Sequence, residues 1–108
     1  MESETSLIVI GDVNPGAKVS SVGNIVILGA LKGTAYAGTA GNEECFVAAL
    51  DMNPMQIKIG DVIGRSEDKG FLASLKERKK SSTQPQIATV SDNQILIEPI
   101  TKNTFNNI

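Results

Sequence analysis

Few side chains in this sequence are of the types that carry reaction chemistry, and none stands in a pattern that supports it. Histidine is absent, which removes the commonest general base, the usual activator of a serine or cysteine nucleophile, and the commonest transition-metal ligand. Cys45 is the single cysteine. Nothing beside it in sequence would lower its pKa, so it reads as an interface hydrophobe rather than a nucleophile. Asp12 and Asp51 are isolated carboxylates, and Glu43-Glu44 reads as a solvated corner. No phosphate-binding glycine loop and no metal-ligand spacing occurs. No catalytic residue, metal or cofactor is therefore expected. The pattern is that of a binding module, not an enzyme.

Residues suited to recognition are easier to find. Gly29-Ala30-Leu31-Lys32-Gly33 places a cation beside two glycines, an acceptor for an acidic peptide or, equally, a solvated loop. Gly33 and Gly38 supply positive φ or let a partner's backbone approach. The basic run Lys76-Glu77-Arg78-Lys79-Lys80 reads as a solvated helix end, with contact to anionic lipid as the alternative. The net charge of −2 argues against nucleic acid as a partner. One cysteine cannot form an intramolecular disulfide, which predicts a reducing, cytoplasmic setting. The polar start of the chain has no signal pattern, and no apolar run approaches the roughly 20 residues of a membrane span.

These residues are positioned by a repeat. Every sixth residue from Leu7 is apolar: Leu7, Val13, Val19, Ile25, Leu31, Ala37. A second column is small: Gly11, Ala17, Gly23, Gly29, Ala35, Gly41. They interlock as small-x-apolar triplets, with Asp12, Lys18, Asn24 and Tyr36 among the middle residues. Side chains two apart in a strand share a face, so each triplet is expected to send its small and branched members inward and its middle residue out. A helix would need recurrence at three and four. A coil that bends every six residues needs a strict six, and three sides of six make a turn of about 18 residues. A glycine-rich β-sandwich with an accidental period is the competing explanation. The later turn is less regular: Cys45–Leu50 follows Val26–Leu31 at an offset of 19, with corner insertions near Asn42 and Asn53-Pro54.

One side of the coil carries apolar residues on both strand faces. With Leu7 and Ile25 pointing in, Ile8, Ile10, Val26 and Leu28 point out, and Cys45 and Val47 are read as continuing the same stripe. Such a one-sided patch predicts a twofold homodimer, or else a surface covered by the carboxy-terminal hairpin.

The predicted organisation is a β-coil core over 1–65, a charged helix and linker over 66–85 (helix Phe71–Arg78), a hairpin over 86–100 and a tail over 101–108. The hairpin signal is Ile87-Ala88-Thr89-Val90 and Ile95-Leu96-Ile97 around Ser91-Asp92-Asn93-Gln94.

Ile8-Val9-Ile10-Gly11-Asp12-Val13-Asn14-Pro15-Gly16-Ala17, Gly23-Asn24-Ile25, Gly29-Ala30-Leu31-Lys32-Gly33 and Ala37-Gly38 resemble, in order and spacing, the carboxy-terminal domain of the MinC family of septum-site inhibitors. The resemblance runs over roughly residues 6–100. It implies a three-sided right-handed β-helix that dimerises through one side, to which the helix and hairpin read from the residues form a carboxy-terminal extension. It further implies binding to the membrane-associated ATPase MinD, contact with the division tubulin FtsZ, and recruitment to the membrane only through MinD. Carried over by position, the partner-binding residues are Gly16, Ser21, Val22, Gly23, Lys32 and Gly33. Val22 stands where the family commonly has an acidic or polar residue, and Lys32 where arginine is usual. A self-polymerising, bactofilin-like scaffold is the runner-up. A hexapeptide-repeat acyltransferase, which shares the period, is disfavoured by the missing histidine.

Overall fold

The alternation of branched apolar and polar residues produces short strands joined by tight corners. The computed structural model describes residues 2–65 and 85–100. Its strands are β1 (Glu2–Ser3), β2 (Leu7–Ile10), β3 (Lys18–Ser21), β4 (Ile25–Leu31), β5 (Thr34–Ala37), β6 (Val47–Met52), β7 (Gln56–Ile59), β8 (Val62–Arg65), β9 (Gln86–Ser91) and β10 (Gln94–Pro99). The described residues contain no helix. The helix expected over Phe71–Arg78 and the tail over 101–108 lie outside them.

The chain alternates between two five-stranded sheets. One has the order β1-β3-β5-β7-β8 and the other β10-β9-β6-β4-β2. Neighbours are parallel through β7 in the first sheet and through β6 in the second. Parallel pairing of strands that alternate sheets requires the chain to wind in one sense. A further bridge joins Val13 to Leu31, and Leu31 pairs in turn with Met52, away from the centres of the strands on either side.

The winding ends at β8, which turns back antiparallel on β7, and at the β9–β10 hairpin, which joins β6 antiparallel. That hairpin closes on Asp92 and Asn93, both at positive φ (51° and 64°), as a two-residue turn between right-twisted strands requires. It extends the edge of its sheet.

Leu7 pairs with Ile25 and Val13 with Leu31, the offset of 18 that the period predicts. The remaining corners depart from it. Val19 pairs with Ala35 rather than Ala37, a turn two residues shorter. Ile25 pairs with Val47 and Ala35 with Ile57, offsets of 22 created by the long corner at 38–46.

The sixfold apolar column faces the interior: Val13, Val19, Ile25, Leu31 and Ala37 are buried, with Ile27, Val47, Met52, Ile57, Ile59 and Ile97 packed among them. Full burial of each such aliphatic side chain is worth about 1.5–3 kcal/mol. The small column does not face inward with it. Gly11, Ala17 and Gly41 are exposed, and among its members only Ala35 is buried. The small residues lie where the backbone bends and successive turns touch. At Gly29, within the irregular stretch of the β4–β6 pairing, an added side chain would run into the Gly11 carbonyl. The corners are further tied by side chains that reach the next turn. Ser6 Oγ accepts from the Asn24 amide (3.1 Å), Asn24 Oδ1 from the Phe46 amide (2.9 Å), and Asp12 Oδ1 from the Ala30 amide (2.8 Å). Each satisfies a backbone donor that the bend takes out of the sheet.

Candidate interaction surfaces

Two surfaces stand out on this frame, and they lie on different sheets. The first is the outer face of β2, β4 and β6. Ile8 is 64% exposed, Ile10 87%, and Leu28 and Leu50 each 45%, with Val26 half-buried between them. Ile8 lies beside Val26 and Ile10 beside Leu28, so these side chains form one contiguous apolar patch. Isolated exposed aliphatics are ordinary, but a contiguous set on a flat sheet points to an interface.

Leu50 belongs to this patch and sequence reasoning missed it. Cys45 and Val47, expected there, are in the core, 4% and 0% exposed. The cause is the corner length. An offset of 19 would lay Val47 beside the outward Leu28, whereas the actual offset of 22 lays it beside the inward Ile25, and a slip of odd length reverses every side chain. Burial, and secondarily the charge of Glu44, raise the Cys45 thiol above its usual pKa, so it is held neutral. Its Sγ donates to the Val22 carbonyl at 3.8 Å.

The second surface is an open depression of about 560 Å³ lined by Ser3, Glu4, Lys18, Ser20, Ser21, Val22, Tyr36 and Thr39. Of the sequence-predicted partner residues, Ser21 and Val22 line it. Ser21 is 1% exposed. Its hydroxyl donates to the Thr5 carbonyl in a short bond and accepts from the Gly23 amide at 3.0 Å, so it braces the corner. Val22 is 39% exposed, with its backbone fixed through its amide to the Ser3 carbonyl (3.0 Å). Gly23 is half-buried, and its carbonyl accepts from the Gly38 amide.

The remaining candidates lie elsewhere. Gly16 sits in an exposed turn in which the Ala17 amide donates to the Asn14 carbonyl (2.9 Å). Lys32 is exposed at the corner after β4. Its amide and that of Gly33 share the Val13 carbonyl, at 2.8 and 3.0 Å. The close approach at Gly33 is made by the chain itself: an added Cβ would meet the Ala17 and Asn14 carbonyls. Gly33 is therefore a packing glycine, buried between turns.

Sequence reasoning also passed over Lys18, Tyr36 and Lys58. Tyr36 lies between the two lysines, whose Nζ atoms stand 5.7 Å (Lys18) and 4.5 Å (Lys58) from its ring centroid. The signal was available, since Lys18 and Tyr36 are middle, outward residues of triplets. Among the described residues, no group of three histidine, cysteine, aspartate or glutamate side chains is placed to hold a metal ion.

Comparison with known proteins places these features in a family. Residues 1–100 match the model of the septum formation inhibitor MinC, C-terminal domain. The septum site-determining protein MinC of Agathobacter rectalis is 55% identical over 108 residues, 98% of this chain and 44% of that protein. Its counterpart from Lachnospira eligens is 48% identical over 108 residues, 99% of this chain and 44% of the relative. This chain thus spans less than half the length of those relatives. Among solved structures, a chain of the MinC:MinD cell division protein complex of Aquifex aeolicus superposes with a TM-score of 0.71. It shares 27% identity over 92% of this chain and 76% of the other.

Proposed function

This chain belongs to the family of MinC C-terminal domains, and from that premise we propose that it is the dimerising, partner-binding part of a division-site inhibitor. In this reading it binds the ATPase MinD, contributes to targeting FtsZ, and acts by binding rather than catalysis. It works in the cytoplasm and reaches the inner face of the membrane through MinD. The observation that carries the reading is the similarity to a chain of the MinC:MinD complex across nearly the whole domain. The winding is that of a three-sided right-handed β-helix, its third side running through Val13, Leu31 and Met52. The core, 1–65, and the hairpin, 86–100, act as one domain.

Two surfaces divide the work. The patch of Ile8, Ile10, Val26, Leu28 and Leu50 is the homodimer interface, a self-complementary face suited to a twofold axis. The depression beside Val22 is the MinD surface, with Val22 as its exposed apolar member and Ser21 and Gly23 holding the corner. Gly16 and Lys32, away from the depression, have a lesser part, and Gly33 acts only by holding the turns together. The test is capture of purified MinD in the presence of ATP. Wild-type chain is expected to retain MinD and Val22→Asp to lose it while staying folded. Equal retention by both would remove the corner from the interface, and no retention by the wild type would remove MinD binding from this chain.

A further inference from the structure

The corners that lead from the first sheet to the second stack on one another, and Glu4 and Val22 stand at the apexes of the first two. Register pairs Glu2 with Ser20 and Ser3 with Ser21, which carries Glu4 to the position beside Val22. The chain on either side of Glu4 is tied to the Val22 corner. The Ser3 carbonyl accepts from the Val22 amide at 3.0 Å, and the Thr5 carbonyl accepts from the Ser21 hydroxyl. The Thr5 amide donates to Ser3 Oγ at 3.2 Å, which closes a turn around Glu4. Its backbone is thus fixed on both sides, while its side chain is exposed on the rim of the depression that Val22 also lines.

The charges around the depression select what Glu4 can meet. It forms no ion pair among the described residues. Lys18, the cation lining the same depression, is already engaged within the chain, and its Nζ stands 5.7 Å from the centroid of the Tyr36 ring. With Lys58 Nζ at 4.5 Å from the same centroid, a third cation at Tyr36 would meet two like charges. No lysine or arginine falls in the three corners 4–6, 22–24 and 38–46, and the last of them adds the exposed Glu43 and Glu44. The charged groups of these corners are therefore carboxylates alone, and the side chain they draw in is a cation.

Val22, 39% exposed, narrows the match further. Lysine and arginine carry an apolar stem beneath a charged head. Neighbouring turns lie about 4.8 Å apart, so a stem laid over Val22 brings its head to the Glu4 carboxylate.

We propose that Glu4 is the charged partner of Val22 in the MinD surface, and that the two receive a single lysine or arginine side chain of MinD. Val22 packs on its stem, and the Glu4 carboxylate accepts from its head. This role rests on the reading of the Val22 corner as the MinD surface and adds the class of side chain that the surface selects. The loss expected of Val22→Asp stands, because its carboxylate would lie desolvated beneath the stem without a hydrogen bond.

Titration of the whole chain with purified MinD and ATP provides the test, with the fold of each variant checked by circular dichroism. Glu4→Gln should weaken binding by about fivefold, or about 1 kcal/mol, and Glu4→Lys should weaken it further. Asp92→Asn, which removes a negative charge at the hairpin turn, should leave binding unchanged. The gap between wild type and Glu4→Gln should close in about 1 M salt, where the screening length falls to about 3 Å. Val22→Thr should also weaken binding, and the double variant should lose less than the sum of the two single losses, since both act on one side chain. Wild-type binding by Glu4→Gln, a gap that persists at high salt, or additive losses would overturn the proposal. The two readings fail separately. No binding by the wild-type chain, or binding indifferent to Val22→Asp, removes the corner and Glu4 with it. Binding lost in Val22→Asp but kept in Glu4→Gln removes only the role of Glu4.

Discussion

Val47 lies directly beside Ile25 in the parallel β4–β6 pair, and both are completely buried. That pairing fixes which residues of β6 face the interior, and so decides what the outer face offers a second copy of the chain. Val26, one residue along from Ile25, points the other way. Val26→Asp is therefore expected to convert a dimer to a folded monomer, whereas Val47→Asp buries an unpaired charge and should unfold the domain. Sedimentation together with circular dichroism distinguishes these outcomes. A Val26→Asp chain that still sediments as a dimer would rule out this face as the interface.

The Asn24 side chain accepts the Phe46 amide at 2.9 Å across the long corner. Asn24→Ala leaves that donor without its acceptor and should cost about 1–3 kcal/mol. Urea unfolding with an unchanged slope and a lower midpoint is the expected result. An unaltered midpoint would show that solvent replaces the bond without loss.

Gly33 tests whether a glycine serves packing or partner. A methyl group there meets two carbonyls of the preceding turn, so Gly33→Ala should destabilise the fold by about 1–3 kcal/mol. At a temperature where the variant remains folded, MinD capture should equal that of the wild type. Lost capture with unchanged melting would return Gly33 to the binding surface.

Burial raises the Cys45 thiol above its ordinary value of 9.0. The unfolded chain therefore releases this proton at lower pH than the folded chain. The stabilisation is complete below pH 9.0 and is lost as pH rises through the elevated folded value. Denaturation midpoints should fall between pH 8 and pH 10 more steeply for the wild type than for Cys45→Ala. Parallel declines would show that the thiol does not contribute. The same burial should make the native thiol slow to alkylate at pH 8.

The inward column of the coil was legible in the sequence because six-residue spacing and period-2 alternation are local properties. Leu7, Val13, Val19, Ile25 and Leu31 all belong to sides of regular length. Legibility failed where a corner changed length. Nothing between Gly38 and Phe46 reveals whether the chain travels 19 or 22 residues before re-entering the sheet, yet that difference sends Val47 and Cys45 inward and brings Leu50 to the surface. The exposed patch was therefore correctly read in the first turn and misphased in the next. The candidate site was less legible. Ser21 and Gly33 are polar or small for reasons of turn-to-turn contact, which no single stretch of sequence displays. The meeting of Lys18, Tyr36 and Lys58 depends on registers of 16 and 22 that only the folded chain sets.

The antiparallel pairing of β8 and of the β9–β10 hairpin gives the molecule a direction of growth. At that end the outermost parallel strands, β7 and β6, have already spent their edge hydrogen bonds on a reversed neighbour. At the opposite end β1 and β2 still present parallel edges among the described residues. A duplicated turn of about 18 residues inserted after Ile59 would have to displace β8 first. Lengthening of this coil at its β7 and β6 end therefore requires strands already paired to be displaced.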